Sequence, residues 1–194
     1  MSIVSDSDHW MFISSNGGLS AGRKNAENAL FPYYTDDKIT EFADITGSKT
    51  IFQLHGSEQI IWEPFSNRNL SSLKRKSNIY KCIYGNIIVF EEILLDYHLT
   101  FRYSWASSDQ FGFVKTSTII NNGTQIQDIT LLDGIQNIMP CGVPSDLQNN
   151  ASNLVDAYKR SELDAESGLG LFALSAIISD KAEPSEALKA NVVW

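Results

Sequence analysis

The amino-acid sequence predicts a mainly β protein, an antiparallel β sandwich with one short helix near residues 147–163. Three observations lead to this fold class. Residues 79–135 hold β-prone runs at roughly ten-residue spacing, and turn pairs such as Gly85-Asn86 separate these runs. Residues 97–105 alternate between apolar and polar side chains. Alternation with a period of two indicates a strand with one buried face, and short strands between regular turns are typical of a sandwich.

The first third of the chain is less regular. The sequence predicts a short strand at residues 10–14, followed by a long glycine-containing loop over residues 15–38 whose glycines permit unusual backbone angles. Residues 50–54 and 59–62 are predicted to form a hairpin, and residues 67–78 a solvated basic linker. Long loops inside compact domains are often functional, so the predicted loop is a candidate binding segment.

The middle of the chain carries the clearest strand signals. A hairpin is predicted from two β-prone runs around the Gly85-Asn86 pair, and further strands are predicted over residues 97–105, 111–120 and 125–132. One face of the strand over residues 97–105 is apolar, and its aromatic residues are expected in the core: Tyr97, Phe101, Tyr103 and Trp105. Its other face, with His98 and Arg102, is either solvated or a polar stripe that contacts sugar.

After residue 134 the pattern changes. Leu154, Val155 and Tyr158 have helical spacing within the predicted helix, and residues 169–179 are predicted to form a strand. The chain then ends on an apolar, β-prone run at residues 189–194. We interpret this run as a sign that the sequence was cut from a longer protein. The alternative is a terminal strand docked on a sheet edge.

Composition excludes several classes of function. A formal net charge of −8 disfavours nucleic-acid binding, and 43% hydrophobic with 11% aromatic residues excludes intrinsic disorder. The two cysteines, Cys82 and Cys141, have neither metal-ligand nor disulfide-framework spacing. No apolar run is long enough to span a membrane, and the first residues do not form a signal peptide. We therefore expect a cytoplasmic protein without a cofactor or a metal ion.

Catalytic signals are weak. None of the three histidines, at positions 9, 55 and 98, is paired by spacing with another candidate ligand or base. The adjacent carboxylates Asp36-Asp37 and Glu91-Glu92 are the more suggestive groups. Cleavage of a glycosidic bond requires two carboxyl groups on opposite sides of that bond, which neighbouring residues rarely provide. The sequence therefore assigns no catalytic residue.

Two stretches of the sequence together carry a family resemblance. The first is SSNGGLSAGR at residues 14–23, which leads into NALFPYYTDDK at 28–38. The second comprises FRYSW at 101–105, FGFVK at 111–115 and DGIQNIMPCGV at 133–143. The set resembles the amino-terminal domain of large bacterial proteins similar to cellobiose phosphorylase and related glycoside phosphorylases and hydrolases. The resemblance covers most of residues 10–145.

The resemblance implies a galactose-mutarotase-like β super-sandwich, followed in the family by a helical linker and an (α/α)6 barrel that holds the general acid. Such a barrel would lie beyond Trp194, so the chain is expected to be a single non-catalytic domain, residues 1–194, of a longer enzyme. Its expected partners are carbohydrate and that barrel. The predicted loop would line the substrate pocket, with these candidate lining residues: Arg23, Tyr33, Tyr34, Asp36 and Asp37.

Two alternatives remain open at this stage. A free-standing aldose epimerase of the mutarotase type would need a histidine acid and a carboxylate base across one sugar ring. His98 with Glu91 or Glu92 could supply that pair. A structural or interaction sandwich with no role in sugar binding is the other alternative.

Overall fold

The computed structural model describes residues 1–32, 36–56, 58–66, 73–178 and 189–194, and within them the chain is mainly β. The strands are β1 (Ser2–Ile3), β2 (His9–Ile13), β3 (Leu19–Arg23), β4 (Gly47–His55), β5 (Ile60–Trp62), β6 (Arg75–Lys81), β7 (Ile87–Leu94), β8 (Leu99–Ser108), β9 (Gly112–Asn121), β10 (Asp128–Gln136), β11 (Lys159–Asp164), β12 (Leu169–Leu174) and β13 (Ala190–Val193). The helices are α1 (Asp36–Ile39), α2 (Ser145–Asn150) and α3 (Ser152–Tyr158). None of the described helices is long and apolar enough to cross a membrane.

The described strands form four antiparallel sheets, in the orders β1-β2-β3, β10-β4-β5, β6-β7-β8-β9 and β11-β12-β13. Aromatic contacts join the four-stranded sheet to the β10-β4-β5 sheet. Phe52 of β4 stacks on Trp62 of β5 with ring centroids 4.8 Å apart, and it meets the edge of Phe101 of β8 at 5.2 Å. The predicted antiparallel β sandwich with short helical segments is therefore confirmed.

The core lies on one face of β7 and β8. The register places Phe90 opposite Tyr103 and Ile88 opposite Trp105, and all four residues are buried. Phe90 and Tyr103 stack with ring centroids 4.8 Å apart, and burial raises the pKa of the Tyr103 hydroxyl. The prediction that Phe101, Tyr103 and Trp105 belong to the core is confirmed. Tyr97 precedes the strand, in a 3-10 turn, and is half-buried.

The prediction of a continuous loop over residues 15–38 is wrong in part. Residues 19–23 form β3, which pairs with β2 from His9 opposite Arg23 to Ile13 opposite Leu19. The first four residues of β3 are all buried. A strand that is covered on both faces shows no alternation, and its small residues gave no strand signal. Helix α1 occupies a further part of the predicted loop.

The glycines of this segment serve two different purposes. Gly17 has φ +88°, one of the unusual backbone angles that glycine is expected to permit in this segment. Gly22 is instead required for close packing, because a Cβ atom there would lie 2.5 Å from the carbonyl oxygen of Asn28. The segment is therefore held tightly against its neighbours.

Two further predictions are corrected. Residues 75–78 of the predicted basic linker belong to β6, an edge strand whose polar side chains resemble a loop sequence, while residues 67–72 lie outside the described part of the chain. The predicted helix over residues 147–163 is interrupted at Ala151 and ends at Tyr158, because Lys159–Asp164 pairs with β12. Strand β13 lies on the other side of β12.

Candidate functional site

Arg23 is the predicted site residue whose surroundings the structure defines best. It lies at the end of β3 with 59% of its side chain exposed. Its Nε and Nη2 atoms donate to the two carboxylate oxygens of Asp8 at 3.0 and 3.3 Å. The hydrogen bond from Arg23 lowers the pKa of Asp8 below its usual value.

The other four predicted lining residues are less defined. Tyr33 and Tyr34 lie outside the described residues. Asp36 and Asp37 begin α1, and their side chains are likewise outside the description. The structure thus brings Arg23 together with Asp8, and the grouping of Arg23 with these four residues stays a prediction.

Arg23 opens a polar surface loop, residues 23–28, that is anchored at both ends. The N–H of Leu30 donates to the carbonyl of Ala21 at 2.8 Å, which returns the chain to β3. Within the loop, the N–H of Glu27 donates to the side chain of Asn25 at 3.2 Å. The carboxylate of Glu27 accepts hydrogen bonds from the Ser145 hydroxyl and, at 3.0 Å, from the Ser145 N–H. These two bonds, first the one from the hydroxyl, lower the pKa of Glu27. The loop is therefore fixed in position while its polar side chains face solvent.

A small polar cleft lies beside the Asn16-Gly17 turn. Lys49 and Glu63 form an ion pair in its wall, and Ser48 Oγ is buried there without a hydrogen-bond partner among the described residues. The cleft has a volume of about 30 Å³. This space suits one or two water molecules, whereas ligand pockets are about ten times larger. The cleft is therefore too small to hold a sugar ring.

Glu91 points to the outer face of the four-stranded sheet but is only 3% exposed. Its carboxylate accepts hydrogen bonds from Asn78 Nδ2 at 2.8 Å, the Tyr80 hydroxyl at 3.0 Å and Arg102 Nε at 2.5 Å. Burial alone would raise the pKa of Glu91, but these hydrogen bonds outweigh it and hold the pKa below its usual value. Glu91 is therefore an ionised group that ties β6, β7 and β8 together.

Glu92 points to the inner face and is 2% exposed. Its carboxylate accepts hydrogen bonds from Trp62 Nε1 at 2.8 Å, the N–H of Phe65 at 3.1 Å and Ser77 Oγ at 3.0 Å. The guanidinium of Arg75 lies 3.7 Å from the same carboxylate. Glu91 and Glu92 thus point to opposite faces, as neighbouring residues of a strand do. The sequence gave no sign that both are buried, because their donors come from other segments of the chain.

A larger concave feature is an apolar cavity of about 310 Å³. It lies between the start of β9, strand β13, the turn at Leu30-Phe31, and residues that follow β10. Its walls are rich in aromatic rings, contributed by Phe31, Trp105, Phe111, Phe113 and Trp194. The rings of Phe111 and Trp194 meet edge to face at 5.8 Å. Sequence reasoning missed this site because its walls come from distant parts of the chain.

Two polar features lie at the wall of this cavity, which we call the aromatic cavity. Lys115 Nζ donates to Asp133 Oδ1 at 2.6 Å, and Thr50 Oγ1 donates to the same oxygen at 2.6 Å. Burial tends to raise the pKa of Asp133, but these hydrogen bonds lower it below its usual value, so the pair is charged and mutually neutralised. Trp105 is 1% exposed, and its Nε1–H has no hydrogen-bond acceptor among the described residues.

The remaining chemistry of the described residues is limited. They contain no group of three or more His, Cys, Asp or Glu side chains that could hold a metal ion. Both cysteines are free thiols and half-buried. No protein-family model matches the chain, and no curated protein matches it.

Proposed function

We propose that this chain is a non-catalytic, carbohydrate-associated β-sandwich domain of an enzyme that resembles glycoside phosphorylases and hydrolases. In this proposal the domain supports, and partly lines, the active site of an (α/α)6 barrel in the same parent protein. The observation that carries the proposal is the anchored polar loop at residues 23–28. It presents fixed hydrogen-bonding side chains to solvent, and it joins the two segments, residues 14–23 and 28–38, that make up the first stretch of the family resemblance.

The chemistry of this loop suits hydroxyl groups or phosphate. The side chains of Arg23, Lys24, Asn25 and Asn28 are exposed and carry donors. The Asn25 oxygen is occupied by the Glu27 N–H and Asn28 Nδ2, so Asn28 Oδ1 is the amide acceptor that the loop presents. A guanidinium forms strong, directional hydrogen bonds to oxygen ligands. Because backbone contacts fix both ends of the loop, binding would require little additional ordering. The loop is therefore suited to line a pocket whose other walls belong to a partner domain.

The two buried glutamates support the non-catalytic part of the proposal. Glu91 and Glu92 point to opposite faces, and three hydrogen bonds hold each of them, so they cannot flank one glycosidic bond. The epimerase alternative is disfavoured by the position of His98. Arg102 and Phe101 lie opposite Glu91 and Glu92, whereas His98 precedes β8 in a left-handed conformation.

The composition and the thiols agree with the proposed setting. A net charge of −8 disfavours nucleic acid as a partner. The proposal places the protein in the cytoplasm, where free cysteines stay reduced.

The first test uses the chain alone. Polarimetry of α-glucose, hydrolysis of cellobiose and phosphate-dependent cleavage of cellobiose should all proceed at the rate of buffer. Activity above buffer in any of these assays would overturn the non-catalytic assignment, and faster anomerisation would favour an epimerase.

The second test uses the protein encoded by the whole reading frame. Arg23→Ala should lower kcat/KM by roughly 10- to 100-fold, the loss expected for one charge-assisted hydrogen bond to substrate. Arg160→Ala is the matched control, because Arg160 is also exposed and also paired with a carboxylate, Glu162. An unchanged kcat/KM in the Arg23 variant, or a reading frame without a helical barrel, would contradict the proposal.

A further inference from the structure

The aromatic cavity has the size and the lining of a small-molecule site, and this inference does not depend on the carbohydrate role. Its volume of about 310 Å³ is at the lower end of the usual range of ligand pockets. A dry cavity of about 150 Å³ is already large enough to hold a benzene molecule in another protein. The aromatic cavity therefore has room for a compact ligand of two fused rings.

The charge of the lining selects against ionised ligands. Among the described residues of the wall, Lys115 is the cationic one, and its ammonium group is paired with Asp133, so the pair offers no net charge. Lys115 is also largely covered, with 7% of its side chain exposed. An ion in the cavity would lose its hydration without gaining a counter-ion, which is strongly unfavourable. An uncharged ligand avoids this loss.

One buried donor gives the cavity a polar preference. The Nε1–H of Trp105 has no acceptor among the described residues, and a buried donor left without a partner is energetically unfavourable. The Phe31 ring stands at 80° to the indole with centroids 6.3 Å apart, and an aromatic face is a weaker partner than an oxygen atom. The Nε1 atom is itself covered, so a ligand oxygen would reach this N–H only when the indole turns toward the cavity, and it would then supply the missing hydrogen bond.

We propose that the aromatic cavity binds a compact, uncharged, mainly apolar ring compound that carries one hydrogen-bond acceptor, and that this acceptor pairs with the Nε1–H of Trp105. Its rings would contact the aromatic side chains at the cavity mouth, Phe111 and Trp194. A monosaccharide does not fit this description, because most of its hydroxyl groups would face apolar side chains.

The test compares 1-indanone with indane, which have the same bicyclic carbon skeleton and differ in one carbonyl oxygen. Binding is measured by titration of ¹⁵N-labelled protein, with the indole N–H resonances of the four tryptophans as the readout. Trp105→Phe assigns the Trp105 resonance. We expect 1-indanone to shift this indole proton downfield, as a new hydrogen bond does, and we expect indane to bind without that shift.

The affinities provide a second readout, the change in Kd that a substitution causes for each ligand. Comparing these changes removes the effect of the different hydration of the two ligands. Trp105→Phe keeps an aromatic ring but removes the donor. It should weaken 1-indanone by roughly 3- to 10-fold more than it weakens indane, as expected for one neutral hydrogen bond. Trp194→Ala should weaken both ligands equally. Trp194 is 67% exposed, so this variant keeps the test usable if Trp105→Phe does not fold.

A matched control and three outcomes complete the test. Tyr84→Ala removes a ring that is 79% exposed at the β6–β7 turn, and it should change neither affinity. The proposal is overturned if neither ligand binds below about 1 mM. It is also overturned if Trp105→Phe weakens both ligands equally, or if methyl β-glucoside binds to the cavity more tightly than 1-indanone does.

Discussion

Replacing Glu92 with Gln should lower the free energy of unfolding by about 3–5 kcal/mol, the cost of breaking a buried ion pair by removing one charge. The carboxylate lies 3.7 Å from the guanidinium of Arg75 and accepts hydrogen bonds from Trp62, Phe65 and Ser77. The Gln side chain turns one of its two oxygens into an NH₂ group. At least one buried donor is then left facing another donor, because Trp62 is 1% exposed and cannot turn to water.

Glu91→Gln is the matched control, since it changes the adjacent residue of the same strand, which also accepts three hydrogen bonds. Here the donors lie near the surface. Tyr80 is 51% exposed and the side chain of Arg102 is 48% exposed, so both can rotate to water. The expected loss is about 1–2 kcal/mol, close to that of one or two net hydrogen bonds.

The assay is urea unfolding at pH 7, followed by tryptophan fluorescence and checked by the melting temperature. At about 2–4 °C per kcal/mol for a chain of this length, the Glu92 variant should melt about 6–20 °C below the wild type and the Glu91 variant about 2–8 °C below it. Equal losses for the two variants, or a loss below about 1 kcal/mol for Glu92→Gln, would refute the role given to the inner network.

Two further predictions concern packing and pH. Gly22→Ala should lower the free energy of unfolding by about 1–3 kcal/mol, measured by urea unfolding, because the new Cβ would lie 2.5 Å from the Asn28 carbonyl oxygen. Gly134→Ala is the control and should leave the free energy of unfolding nearly unchanged, because no atom lies within 4 Å of its new Cβ. Equal effects of the two substitutions would contradict this account. The pKa of Asp133 is lower in the folded protein than its usual value of 3.8, so ionised Asp133 stabilises the fold above pH 3.8. This stabilisation is lost as the pH falls through the folded-state pKa, because the carboxyl group beside Lys115 is then protonated. Asp133→Asn should therefore be less stable than the wild type at pH 7, and the difference should shrink in unfolding measurements toward pH 2; a difference that stays constant with pH would contradict the assignment.

The strands that were predictable from the sequence are those with one covered face. Strand β8 alternates between buried and more exposed side chains along most of its length, and this alternation is visible in the sequence. Strand β3 is covered on both faces and is built from small residues, so its pattern resembles that of a loop. Strand β6 is an edge strand that begins with Arg75 and Lys76, polar residues that pair with apolar residues of β7. In these two strands the strand partner, and not the local pattern, determines the structure.

The candidate sites were less predictable than the fold, because each is assembled from distant segments. The donors that hold Glu92 come from Trp62, Phe65 and Ser77, between 15 and 30 residues away. The facing rings at the mouth of the aromatic cavity belong to Phe111 and Trp194, at opposite ends of the second half of the chain. Spacing in the sequence could indicate that Trp105 is buried, but it could not indicate that its N–H lacks an acceptor.

Glu91 and Glu92 lie on opposite faces of the four-stranded sheet, and the hydrogen bonds of each determine whether its face needs a further partner. On the outer face of the four-stranded sheet, the register aligns Asn78, Glu91, Arg102 and Thr118 in one row across four strands. Because Glu91 accepts two hydrogen bonds from within this row and a third from Tyr80, it is satisfied without a further partner, and the face can remain in contact with water. On the inner face, Glu92 is enclosed by the core. The surfaces that we propose for binding, the polar loop at residues 23–28 and the aromatic cavity between β9 and β13, therefore lie apart from both glutamate networks.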